Sequence, residues 1–205
     1  MSDITAEAIT IPEISATIAK DLAPQTLPLI PSKPVTVSYY LNIDSRDRDR
    51  QLWPSSSHFE VKLDPPSGFA GAAIGRHFKN VVSLELMNAC FPNTSNVLSA
   101  PPLFLNFPEV PGIIETTHAG TRYFAKLVPS VVLGSYVYSY QDLGGRSKKE
   151  FPFRGARLDK LTVEICDWSG TVFNFGTDNT ADVAANSLIQ TSMMLKVVVE
   201  ESNRD

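Results

Sequence analysis

From residue 34 onward, apolar side chains recur every second position, and a period of two is the signature of strands with one face in a core. In Val35-Thr36-Val37-Ser38-Tyr39-Tyr40-Leu41-Asn42-Ile43 every odd position is apolar or aromatic, and most even ones are polar. His58-Phe59-Glu60-Val61-Lys62-Leu63 alternates in the same way and stops at Pro65-Pro66. The stretch from Phe78 to Phe91 predicts a long strand, with Val82, Leu84 and Leu86 on one face and Ser83 and Glu85 on the other. Leu103 to Phe107 is short and bounded by prolines. Residues 122–128 and 131–140 read as a strand pair around Pro129. Leu161 to Cys166 and Val172 to Phe175 flank Asp167-Trp168-Ser169-Gly170, whose residue types suit a short hairpin turn. Met194 to Val199 is the closing strand, and residues 181–190 read as one helical turn or a loop.

Eight or nine strands with turn signals between them, and no long helical pattern, predict an all-β fold: an antiparallel β-sandwich, and on strand count a single jelly roll. Residues 1–33 differ. They hold no aromatic residue; residues 12–21 suit a short helix with Pro12 early in it, whereas Pro24, Pro28 and Pro31 rule out a regular helix over 23–31. The expected organisation is an extended N-terminal arm over 1–33, a sandwich domain over 34–200 and a charged tail over 201–205. The arm carries Ile11, Ile14, Ile18, Leu27, Leu29 and Ile30. So many apolar side chains need cover, either by docking on a partner or by folding back on the domain.

Composition narrows the function. The 18 basic and 22 acidic residues give a net charge of −4. That balance argues against a protein that coats nucleic acid. No run approaches the roughly 18 apolar residues of a membrane span, and the first twenty residues lack the pattern of a signal peptide. Cys90 and Cys166 sit within strands as small buried hydrophobes, with a disulfide between them as the alternative. His58, His77 and His118 fall in no metal-ligand spacing. Gly144-Gly145-Arg146-Ser147-Lys148-Lys149 lacks the spacing of a phosphate loop and reads as a solvated loop. No nucleophile elbow is present. The residues therefore point away from an enzyme, and to no cofactor or metal.

The densest polar segment is Asp44-Ser45-Arg46-Asp47-Arg48-Asp49-Arg50. Its arginines would repel a calcium ion, and the glycine and terminal glutamate of a calcium loop are missing. Two readings remain: a solvated exit from the first strand, or an ion-pair network, internal or at an interface, built on Arg46, Arg48 and Arg50. Trp53 and Trp168 lie in loops, where tryptophans anchor interfaces or cap a core, and capping suits Trp168 better. Tyr136, Tyr138 and Tyr140 share one strand face, as a half-buried cross-strand cluster or as a platform for sugar rings.

Three blocks carry a more specific signal. Leu41 to Asp49 is followed by Trp53-Pro54-Ser55-Ser56-Ser57-His58-Phe59, then by Phe78-Lys79-Asn80-Val81-Val82-Ser83-Leu84-Glu85-Leu86, closing in Pro92-Asn93-Thr94. Leu158 to Ile165, with Asp167, Gly170 and Phe175-Gly176, adds a late hairpin. These blocks resemble minor capsid, penton-type structural proteins of nucleocytoplasmic large DNA viruses, the chlorovirus-like giant viruses among them. The similarity covers residues 37–94 and 158–176 and the closing strand. It implies a virion component made in host cytoplasm, either a vertex penton or a cement beneath the major capsid protein. The partners it implies are the major capsid protein, other minor capsid proteins and the chain itself as a pentamer. It implies no catalytic residues. The alternative from the residues alone is a carbohydrate-binding β-sandwich.

Overall fold

The structure, a computed structural model, describes residues 34–94, 97–98, 102–117, 121–140, 147–152, 155–180 and 183–201. The chain divides into two compact units, Met1–Lys33 and Pro34–Asp205, and every described residue belongs to the second. Ile11, Ile14, Ile18, Leu27, Leu29 and Ile30 of the arm lie outside the described residues, as do His118, Gly144 to Arg146 and residues 202–205.

The described residues form thirteen strands: β1 Val35–Asp44, β2 His58–Leu63, β3 Ala73–Ile74, β4 Val81–Pro92, β5 Leu103–Asn106, β6 Ile114–Glu115, β7 Arg122–Tyr123, β8 Ala125–Leu127, β9 Val131–Leu133, β10 Tyr136–Tyr140, β11 Lys148–Glu150, β12 Lys160–Cys166 and β13 Ser192–Glu201. No α-helix occurs among the described residues. The first sheet runs β1-β13-β4-β10-β9, with β11 also on β4; the second runs β3-β2-β12-β5-β8. Strand neighbours are antiparallel except for the parallel β2–β3 pair. A two-stranded ribbon, β6-β7, stands apart.

The two sheets pack face to face over one core. Leu41 and Ile43 of β1, Leu84 and Leu86 of β4, and Leu195 and Val197 of β13 meet Phe59 and Val61 of β2, Leu105 of β5, and Leu161 and Val163 of β12 in a single cluster. The fold is therefore an all-β sandwich of largely antiparallel strands. Alternation alone positions β1, β2, β12 and β13, because each turns one face toward this core, with the start of β1 at Val35 left exposed. A smaller cluster lies beside the ribbon, where Tyr123 stacks on Phe104 with ring centroids 4.5 Å apart.

In three places the sequence pattern misleads. On β4 the register against β13 shifts twice, so Val199 pairs with Val81 but Val198 with Ser83, and Leu195 with Leu86 but Met194 with Asn88. Each shift is a bulge that inserts one unpaired residue and reverses the alternation. Val82 is thus exposed and Val81 takes the core position, while Phe91 and Ala89 succeed Leu86 inside. Ser83 and Glu85 do face outward from Leu84, yet both are buried. The register seats Glu85 between Lys196 and Lys148, a favourable cross-strand charge arrangement. The second misreading concerns Pro129: β8 pairs with β5 in one sheet, and β9 with β10 in the other. Pro129 lies in a crossover between sheets, and the hairpin turns at Gly134-Ser135. The third is the basic loop, because Lys148 and Lys149 belong to β11. At 172–175 the late hairpin survives as a single bridge, Cys166 to Val172.

Gly112 is fixed by close backbone approach. A Cβ there would lie 2.7 Å from the Arg122 carbonyl carbon and 2.8 Å from the Tyr123 nitrogen. Backbone atoms cannot yield as a flexible side chain can. Gly112→Ala is therefore expected to cost about 1–3 kcal/mol, read as a lower urea midpoint with an unchanged slope.

Candidate functional site

The charged segment after β1 becomes a buried knot. Asp44 ends the strand, and its carboxylate accepts the Arg46 backbone N–H at 2.9 Å, capping a 3-10 turn over Ser45–Asp47. Ser45 is buried and bonded to the far end of the chain: its N–H donates to the Thr191 carbonyl at 2.9 Å, and its hydroxyl to Gln190 Oε1 at 2.8 Å. Arg48 is only 4% exposed. Its Nε donates to the Trp53 carbonyl at 2.7 Å and Nη2 to the Pro54 carbonyl at 3.1 Å. Nη1 reaches the Ser45 carbonyl at 2.5 Å and Gln190 Oε1 at 2.6 Å. Burial pushes its guanidinium below the usual arginine value, while Asp178 pulls it back up.

Arg50 pairs with Asp178 at 3.1 Å, both side chains nearly buried, and donates to the Val183 carbonyl at 2.6 Å. Asp178 also accepts the Asn186 N–H at 2.9 Å and the Thr180 hydroxyl at 3.1 Å. The alternating charges are thus sorted by side. Arg46 points outward and pairs with Asp44, whereas Arg48 and Arg50 tie the segment to residues 178–190. Arg48 is not a surface group, which corrects the expectation of an interface residue: its donors serve acceptors inside this chain.

Burial pushes the Asp178 carboxyl up, but the Asn186 N–H, the Thr180 hydroxyl and Arg50 outweigh it and hold it below the usual range. A carboxyl with a depressed folded pKa adds stability that is fully present above its unfolded value of about 3.9 and is lost as pH falls through the folded one. The unfolding free energy is expected to drop on acidification below about pH 4. Asp178→Asn removes this group's share of the drop, and urea titrations between pH 3 and pH 7 read the difference.

The tryptophans exchange the expected roles. Trp53 is half-buried against the core cluster, edge-on to His58 at 5.0 Å. Trp168 is 56% exposed at the tip after β12. That tip is rigid by its own bonds: Asp167 Oδ1 accepts the N–H groups of Ser169 and Thr171 at 2.8 and 3.1 Å.

On the outer face of the first sheet, Asp44, Ser192, Cys90, Tyr138 and Val131 stand opposite one another on five adjacent strands. Asn42, Met194, Asn88 and Tyr140 form the next row. Tyr138 and Tyr140 lie nearly parallel, with centroids 6.3 Å apart and planes 14° apart. The Tyr136 hydroxyl donates to the Ser187 carbonyl. A hollow of about 210 Å³ opens among Asp44, Arg46, Cys90, Tyr136, Tyr138 and Ser192. Both cysteines are free thiols. Burial pushes Cys90 up and Cys166 up to about 12, so both are protonated at neutral pH.

A wider cleft of about 550 Å³ lies where β1 meets the end of β13. There Arg76 sits 4.1 Å from the Tyr39 ring centroid, and the Tyr39 hydroxyl donates to Glu201 at 2.7 Å. His77 Nδ1 lies 2.7 Å from Asp64 in the open. Among the described residues, no group of three or more His, Cys, Asp or Glu side chains is placed to hold a metal. No helix among them is long and apolar enough to cross a membrane.

The geometry defines a two-sheet β-sandwich whose densest polar bonding lies inside the chain and whose most exposed described aromatic groups, Tyr40 and Trp168, lie on a sheet face and on a loop tip. The profile of a family of unknown function (DUF5901) matches residues 26–108, which include β1, the three arginines of the knot and β2 to β5. The match covers less than half of the chain. No curated protein matches it.

Proposed function

We propose that the chain is a minor capsid protein of an icosahedral virus and acts by packing against neighbouring capsid proteins, without a reaction of its own. The observation that carries this reading is the strand pairing. The eight principal strands are β1, β2, β4, β5, β8, β10, β12 and β13. The first pairs with the last, β2 with β12, β4 with β10, and β5 with β8. Successive pairs alternate between the two sheets, as when one long hairpin is wrapped around a core. That arrangement supports a single jelly roll, an architecture used by capsid and lectin domains. The resemblance of residues 41–49, 53–61 and 78–94 to penton-type proteins of large DNA viruses supports the same reading.

On this reading the protein is made in host cytoplasm and resides in the virion. It serves as a vertex penton or as a cement beneath the major capsid protein. Exposed Trp168 on its rigid tip and Arg46 on the outer sheet face are the described residues offered to neighbours. The arm adds apolar area that many modest contacts can use. Native mass spectrometry of the full chain, and of a chain beginning at Pro34, tests the arrangement. A pentamer lost on truncation supports the vertex role. A monomer that binds purified capsid shells supports the cement role, and a monomer that binds no shell contradicts the proposal. A second reading, a carbohydrate-binding β-sandwich, is favoured by the outward row of Tyr136, Tyr138 and Tyr140.

A further inference from the structure

We infer that the hollow on the outer face of the first sheet binds a single neutral pyranose ring of a glycan. The inference rests on the second reading above and is independent of the capsid assignment, since one chain completes the site.

The hollow follows from side-chain size along one cross-strand row. Asp44, Ser192, Cys90 and Tyr138 face outward on four adjacent strands. Ser192 and Cys90 are short and make a floor. The flanking residues are tall and make walls, about 14 Å apart at the backbone for three strand spacings. One wall is the Asp44–Arg46 pair, in which Arg46 Nε lies 2.9 and 3.0 Å from the two carboxylate oxygens. This pairing cancels the charge of both groups and fixes the guanidinium plane, leaving N–H groups at a side chain that is 62% exposed. The other wall is aromatic, with Tyr138 beside Tyr136, whose hydroxyl is tethered to the Ser187 carbonyl.

Size and chemistry together select the ligand class. The hollow, about 210 Å³, is smaller than the roughly 300–1,000 Å³ clefts that enclose drug-sized ligands. It admits one ring. An aromatic wall favours a ligand with an apolar C–H face, and the polar wall favours hydroxyl groups at the ring's edge. A pyranose has both. Mutual neutralisation of Asp44 and Arg46 removes the field that an acidic sugar or a phosphate would require. An open, one-ring site binds weakly, in the millimolar range, and gains strength only when many copies are displayed together.

Saturation-transfer NMR of the full chain with methyl glycosides of glucose, galactose and mannose tests the inference. Transfer to at least one neutral sugar is expected. Tyr138→Ala is expected to weaken it about tenfold through loss of stacking, whereas Tyr138→Phe, which keeps the ring, retains it. Ser192→Arg, an outward strand position, is expected to fill the hollow and abolish transfer without lowering Tm. Absence of transfer from any sugar overturns both this site and the carbohydrate reading. Transfer that persists in Ser192→Arg overturns this site alone, and transfer confined to acidic sugars overturns the ligand class. Loss of capsid binding in Tyr138→Ala, without sugar binding by the parent chain, assigns the face to a protein contact and also overturns the inference.

Discussion

Replacing Arg48 by alanine is expected to lower the unfolding free energy by about 3–5 kcal/mol. Arg48 is 4% exposed, and its guanidinium donates to three backbone carbonyls and to Gln190. Hydrogen bonds from a charged donor contribute about 1.5–3 kcal/mol each. Truncation strands several acceptors at once, while the burial cost of the charge itself is recovered and offsets part of the loss. The carbonyls of Ser45, Trp53 and Pro54 hold the turn that follows β1, and Gln190 leads into β13. The effect should therefore extend to the pairing of these two strands. Arg48→Lys keeps the charge but replaces the planar fork with a point donor, so it is expected to recover only part of the loss. Chemical denaturation of the three proteins reads all of this. A loss below about 1 kcal/mol for the alanine variant would show that the knot is not a structural element.

The second large effect is expected at Phe59. It is fully buried on β2, paired across the strands with Val163, and packs in the cluster shared by both sheets. Phe59→Ala removes a ring from a close-packed interior and leaves a cavity that neighbouring strands cannot close. The expected cost is about 3–5 kcal/mol. That is a large part of the roughly 5–15 kcal/mol of a typical domain, and the variant should show an early, broadened melting transition. Phe59→Leu, which keeps most of the volume, should lose much less.

How far the sequence carries the fold depends on bulges and distance. β1, β2, β12 and β13 were legible because nothing interrupts their alternation, so parity alone assigns each side chain to a face. β4 was legible as a strand but not in phase, since two bulges reverse its parity and send Val82 outward. No local pattern announces a bulge. Residues 125–140 show the other limit: alternation identifies a strand but not its partner, and β8 and β9 belong to different sheets.

The candidate site divides along the same line. Arg46, Arg48 and Arg50 stood out as an ion-pair segment, but no local pattern named the partners of Arg48 and Arg50. Arg48 and Arg50 instead find Gln190 and Asp178, 142 and 128 residues along the chain. Trp53 and Trp168 both read as loop residues that anchor an interface or cap the core, with capping favoured for Trp168, and only tertiary packing places the first against the core and leaves the second exposed. The tyrosine face was legible from parity. The hollow beside it was not, because its floor of Ser192 and Cys90 comes from two strands far apart in sequence.

The capsid assignment is tested most directly by where the native protein resides. Native source material would be separated on a density gradient, and the chain quantified by mass spectrometry in every fraction. The account predicts a peak in the band of intact particles, at a fixed ratio to the major capsid protein and resistant to a salt wash. A peak in the soluble fractions, with particles that lack the chain, would contradict it.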